Sequence, residues 1–270
     1  MLHYDFMRSA FAAGGIIALV AGVVGYFLVL RGQAFAGHAL SHVGFAGATA
    51  GLLVGLPPLG GLIALTVAAG IAMGFLGERV AGRDVAIGMV LTLALGIGLL
   101  CLHFFTAYAS QATALLFGNI LGVDRDTLVT LTGLAAVSLA AIGVIARPLL
   151  FASLQPELAE ARGVPVRLVS VLFLAIVGLT VAGCSQIVGV LLVFALMVAP
   201  AAAAQRLTIR VGSGLGLSAL LALAQAWGGI ALAYETDWPS SFWITALGTL
   251  TWLASLLGTI RLPWRSAKAH

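Results

Sequence analysis

Charge is scarce in this chain. Of its 270 residues 8% are Asp, Glu, Lys or Arg and 61% are hydrophobic, whereas an ordinary soluble domain carries roughly 25% charged residues. A water-solvated domain is thereby excluded. Lysine is scarcer still: Lys268 is the only one, so the chain has no GxxxxGK(S/T) phosphate loop and cannot hydrolyse ATP by that route. The two cysteines, Cys101 and Cys184, lie in apolar segments without CxxC or metal-ligand spacing, and read as small buried hydrophobes. All nine acidic residues (Asp5, Glu78, Asp84, Asp124, Asp126, Glu157, Glu160, Glu235 and Asp237) fall in loops or at the edges of apolar runs. No carboxylate is left inside a run to relay protons, which removes the usual carrier of proton-coupled transport. The stretch HALSH lacks the Glu that follows the first His in HExxH, so the general base of a zinc protease is missing. The net charge of +4 is spread over singly placed basic residues, with no stripe suited to nucleic acid. No basic n-region with a small-residue cleavage site opens the chain; residues 11–30 are long enough to span a bilayer and are expected to stay.

What is abundant is apolar sequence in lengths that match a membrane. Runs of roughly 18 to 24 residues, the length set by a bilayer at about 1.5 Å per residue, cover 10–30, 35–56, 59–77, 85–108, 127–149, 166–184, 186–204, 214–234 and 242–260. The fold expected is an all-α, polytopic bundle of about nine transmembrane helices, with eight as the alternative, forming a single domain over 1–270. Pro57-Pro58, the charged turn at 78–84, Asp124-Arg125-Asp126, and the breaks at 156–165, 205–214 and 235–239 punctuate it. Asn119, between Gly118 and Gly122, sits in a short apolar piece read as re-entrant or interfacial. With nine spans and the N-terminus outside, eleven of the thirteen basic residues (Arg31, Arg79, Arg83, Arg147, Arg162, Arg167, Arg206, Arg210, Arg261, Arg265 and Lys268) fall on the cytoplasmic side, and Arg8 and Arg125 outside. That bias is the positive-inside signature and places the C-terminus in the cytoplasm. Gly47, Gly51 and Gly55, and Gly70 and Gly74, are spaced four apart for close helix packing.

His38 and His42 stand four residues apart in the second span and therefore share a helical face, with the stripe of Gly44, Gly47, Gly51 and Gly55 roughly opposite. Two imidazoles so placed can share one metal ion. The bland alternative is two histidines hydrogen-bonded to neighbouring helices, but ionisable residues inside a membrane are costly and usually functional. Imidazole suits zinc, whereas manganese prefers oxygen donors, so zinc is the cargo expected. Incomplete ligation fits a site that must release its ion. His103, in the fourth span, is a further candidate ligand, and Gln186 reads as polar glue between helices.

One connecting loop, within 153–165, reads as a helix of its own. Pro156 opens it, Glu157 and Glu160 follow, Arg162 lies in its last turn and Gly163 stops it. It is either a capped connector or a rigid cytoplasmic piece able to transmit a partner's motion to the spans.

Four stretches together carry a family resemblance: FLVLRGQAFAGHALSHVGFAG (27–47), GRDVAIGMVL (82–91), LLFGNILGV (115–123) and the long run 154–204 that opens LQPELAEARGVPVRLVS. The chain resembles the permease subunits of bacterial zinc and manganese ABC transporters over most of its length. The resemblance implies a cytoplasmic-membrane location, two permease copies, two cytoplasmic ATP-binding subunits and an extracytoplasmic metal-binding protein. It implies no enzyme activity and no resident cofactor in this chain. It also implies that Gln155, Pro156, Glu157, Leu158, Glu160, Arg162 and Gly163 form the coupling helix on the ATPase. In the family an Asp commonly stands where this sequence has His38, followed four residues later by the His at 42. The function expected is thus ATP-driven import of a divalent metal, zinc first, with manganese or iron as the alternative and a stand-alone secondary transporter or channel behind both.

Overall fold

Apolar sequence in a bilayer has no water to satisfy its peptide groups, so the backbone must bond to itself. The computed structural model describes residues 4–76, 83–104, 116–118, 120–190 and 192–260, and among them every regular element is helical. In chain order these are α1 (Asp5–Leu30), α2 (Ala34–Leu53), α3 (Pro58–Leu76), α4 (Arg83–His103), a 3₁₀ turn at Ile120–Gly122, α5 (Arg125–Leu154), α6 (Pro156–Ala161), α7 (Val166–Val188), α8 (Val193–Leu207), α9 (Val211–Thr236) and α10 (Ser240–Ile260). Local chemistry sets several ends. Asp124 caps α5 by accepting the Thr127 N–H at 2.8 Å, which holds its carboxyl below the ordinary carboxylate range through hydrogen bonds from Thr127. Arg31 ends α1 in a Schellman turn: the Gly32 N–H bonds the Val29 carbonyl and the Gln33 N–H that of Leu28, with Gly32 at φ +64°.

The long helices alternate in direction. Gly47 of α2 meets Gly61 of α3, and Gly70 and Gly74 of α3 meet Leu174 and Val171 of α7, so both pairs are antiparallel. Phe35 reaches Gly88 and Phe45 reaches Gly98, so α2 and α4 run parallel. Tyr26 packs at Gly214 and Trp227 at Gly15, which sets α9 antiparallel to α1. One end of the bundle therefore gathers Arg31, Arg83, Arg162, Arg167, Arg206 and Arg210, and the other carries Arg8 and Arg125. Arg79, Arg261, Arg265, Lys268 and Asn119 lie outside the described residues.

The centre belongs to α1 and α7, whose apolar windows are 72% and 78% buried against 22–33% for the other spans of that class. Among the described residues seven helices are long and apolar enough to cross a membrane, where nine runs were expected. The two that differ are α2 and α8. Protein buries 14 of the 20 residues of α2, so it needs no lipid-grade hydropathy. Helix α8 has 15 residues, about 22 Å at the helical rise. The break before it comes after Val188 rather than after Cys184: the Ser185 hydroxyl donates to the Val181 carbonyl at 2.7 Å and stays helical, while the Gly189 backbone turns tightly against that of Gly118. Gly55, expected in the packing stripe of α2, stands beyond its end with no neighbour within contact.

Candidate functional site

Helix α2 is built to be approached on one side by backbone. A β-carbon on Gly47 would sit 2.5 Å from the Gly61 carbonyl oxygen, and one on Gly51 3.0 Å from the Gly61 Cα; α3 thus seats directly on the glycine stripe. The hydroxyls along α2 are already used. Ser41 donates to the Gly37 carbonyl, and Thr49 to those of Phe45 and Ala46. The side chains left for chemistry are His38 and His42.

The two imidazoles come together as their spacing requires, with ring centroids 4.8 Å apart and planes at 89°. His42 is 8% exposed and its Nδ1 is buried with no hydrogen-bond partner. An unpaired buried imidazole nitrogen costs free energy unless a ligand or water meets it. His38 is half-buried, with its ring 5.4 Å from that of Phe194 on α8 and 6.5 Å from that of Phe35. The aromatic rings confine the pair and supply no donor atoms. No group of three or more His, Cys, Asp or Glu residues stands together among the described residues. The arrangement thus offers two nitrogen ligands and leaves the remaining positions on an ion to water or to groups outside this cluster.

His103 is not part of the pair. It lies exposed at the C-terminal end of α4 beside Phe104. The parallel register of Phe45 with Gly98 puts it level with Ala50, about 12 Å further along the bundle than His42. Two other features were not singled out from the sequence. Gln225 on α9 has both amide atoms buried without partners, close to Gly248; an amide inside an apolar run was the available signal. Phe194 looked like ordinary core, and only the packing of α8 brings it to His38. Gln186 also keeps a buried Oε1 without a partner.

At the arginine-rich end, α6 follows α5 after the single residue Gln155, with Pro156 in its first turn. It closes in a second Schellman turn, Gly163 N–H to the Glu160 carbonyl and Val164 N–H to that of Ala159, with Gly163 at φ +81°. Ala159 is fully buried beneath it. Gln155, Glu157, Leu158, Glu160 and Arg162 all face outward, a mixed polar and apolar surface on a rigid base.

The chain belongs to the ABC 3 transport family, which it matches over residues 3–259. It is therefore a multi-pass protein of the bacterial inner membrane. It is 30% identical over 275 residues to the manganese transport system membrane protein MntC of Halalkalibacterium halodurans, covering 100% of this chain and 94% of that one. It is also 30% identical over 237 residues to the manganese import system permease protein ScaB of Streptococcus parasanguinis, covering 87% and 84%. Among solved structures, PsaBC from Streptococcus pneumoniae in complex with Fab matches with a TM-score of 0.85 at 26% identity, covering 96% of this chain and 95% of that chain.

Proposed function

We propose that this chain is the membrane permease of an ATP-driven importer of divalent metal, with manganese as its cargo and His38 and His42 on the permeation path. The observation that carries the reading is the imidazole pair on an enclosed helix, His42 buried and His38 half-buried, in a family whose relatives MntC and ScaB are named for manganese. Zinc, expected from the imidazoles alone, becomes the second reading. Nitrogen and oxygen sites bind zinc more tightly than manganese almost whatever their design, so two histidines in a transit site do not choose the cargo; the metal delivered to it does. Hydrolysis of ATP belongs to a separate subunit, in keeping with the absence of a phosphate loop. Helix α6 would seat on that subunit through Gln155, Glu157, Leu158, Glu160 and Arg162, with Pro156 and Gly163 fixing its ends. The arginine-rich end is then cytoplasmic, the C-terminus lies there, a second permease copy completes the pore, and an extracytoplasmic protein hands over the ion.

The test is total cellular manganese, zinc and iron by elemental mass spectrometry in metal-depleted medium, comparing a strain lacking the gene with one carrying it. A selective fall in manganese on deletion is the expected result. A fall confined to zinc would favour the second reading, and unchanged metal content would sink import.

A further inference from the structure

Arg31 sits at the junction of three helices. Its Nη2 donates to the Ser170 hydroxyl of α7 at 2.7 Å, its Nη1 to the Ser153 hydroxyl of α5 at a longer 3.4 Å, and its guanidinium lies 5.7 Å from the centroid of the Phe173 ring. Ser153 and Ser170 flank α6 on either side in the chain, so Arg31 grips both legs of the loop that carries it. On its other side Arg31 directly follows α1 as its C-cap and opens the turn into α2. That turn has no slack: Gly32 and Gln33 close the Schellman bonds back to α1, and the Gln33 carbonyl accepts from Ala36 and Gly37 to start α2. His38 is one turn further along and His42 two.

We propose that Arg31 is a positioning residue that links the α6 loop mechanically to the histidine-bearing helix α2. The inference rests on the functional reading above and adds to it the path between the two ends. A shift of the α5 and α7 ends pulls a guanidinium held by two hydroxyls and an aromatic face. The turn passes that displacement to α2 as a tilt, because the backbone hydrogen bonds of Gly32 and Gln33 to α1 and of Ala36 and Gly37 to the Gln33 carbonyl hold it closed around Gly32. Helix α2 packs tightly on α3, with the Gly61 backbone and the Leu62, Leu65 and Thr66 side chains against its Gly44 and Gly47, so a tilt of its first turn is carried along the whole helix.

The test uses the whole importer in proteoliposomes, with its ATP-binding subunit and metal-binding protein, and manganese-54 as the probe. The quantity read is metal moved per ATP hydrolysed. In Arg31→Gln this ratio is expected to fall about tenfold, within the range of a coupling free energy between two sites, while the ATP-binding subunit stays bound and hydrolyses ATP. Ser153→Ala with Ser170→Ala, which removes only two hydroxyls, should lower the ratio in the same direction, and Arg31→Lys should restore part of it. An unchanged ratio in Arg31→Gln overturns the proposal. So does a variant that loses its ATPase partner while the double serine variant keeps the full ratio, since Arg31 would then serve the fold alone. Failure of the underlying reading shows separately. A wild-type complex that moves no metal overturns both, whereas a Glu157→Arg variant with normal partner binding and uptake overturns only the docking role of α6.

Discussion

Helices α2 and α4 are neighbours of nearly equal length, 20 and 21 residues, running parallel, yet they treat their surroundings in opposite ways. Helix α2 is enclosed almost all round and carries Gly, Ser, Thr and two His residues. Among its described residues helix α4 buries only Ile87, Ala94, Gly98 and Cys101, a stripe of which Gly98 lies against Phe45 and Ala46 of α2, and turns Val85, Met89, Leu93, Leu99 and Leu100 outward. The difference teaches where a histidine can work. On α2 the imidazoles are desolvated by protein and one nitrogen is left unmet; on α4 His103 sits exposed at a helix end, where it need serve no ligand. Polar residues are affordable on α2 because other helices, not lipid, surround it.

The sharpest break of this contrast is a pair of histidine variants. His42→Ala should lower manganese-54 uptake about a hundredfold or more, exceeding the about 10–100-fold that follows loss of an outer-shell partner alone, with membrane insertion unchanged. His103→Ala should leave uptake near wild type. Equal losses from both would remove the distinction between the helices.

A stability pair comes next. Gly47→Leu drives a side chain into the Gly61 backbone, and should cost more than the about 1–3 kcal/mol of ordinary overpacking, seen as a collapse of the monodisperse peak in detergent. Gly96→Leu on α4, where a β-carbon would meet nothing within 4 Å, should leave the melting temperature within a degree or so, since exposed positions away from such features are usually near neutral.

The smallest effect expected is at Asp124, on the solvent-exposed edge of the bundle. Its carboxyl is depressed in the folded protein, so its stabilising contribution is complete above the unfolded carboxylate range and fades as pH falls through the folded value. Asp124→Asn keeps an oxygen for the Thr127 N–H and should flatten that acid-side slope in melting temperature while barely changing stability at neutral pH. A slope identical to wild type would show that other carboxylates account for it.

How much of this was legible beforehand differs by residue. The α5–α6 junction was readable because Pro156, Glu157 and Gly163 are local signals, and α6 runs from Pro156 to Ala161 as they dictate. Helix α8 was not: Gln186 and the polar stretch after Cys184 resembled a break, but Ser185 satisfied its hydroxyl within the helix and the chain turned four residues later, where Gly189 could meet Gly118. That meeting joins residues about seventy positions apart, and no periodicity reports it. Arg31 was legible only as a topological charge, because Ser153 and Ser170 reach it through the tertiary fold.

By itself the sequence determined that the chain lives in a membrane, that its elements are helices, and that His38 and His42 share one face, because span length, internal hydrogen bonding and a 3.6-residue period are local consequences of composition and order. The tertiary structure alone decided that α2 is enclosed while α4 is not, that Phe194 closes over His38 while His103 stands apart, and that Arg31 holds both legs of the α6 loop. Those outcomes depend on which helix packs against which, and a uniformly apolar run carries too little amphipathic pattern to name its neighbours.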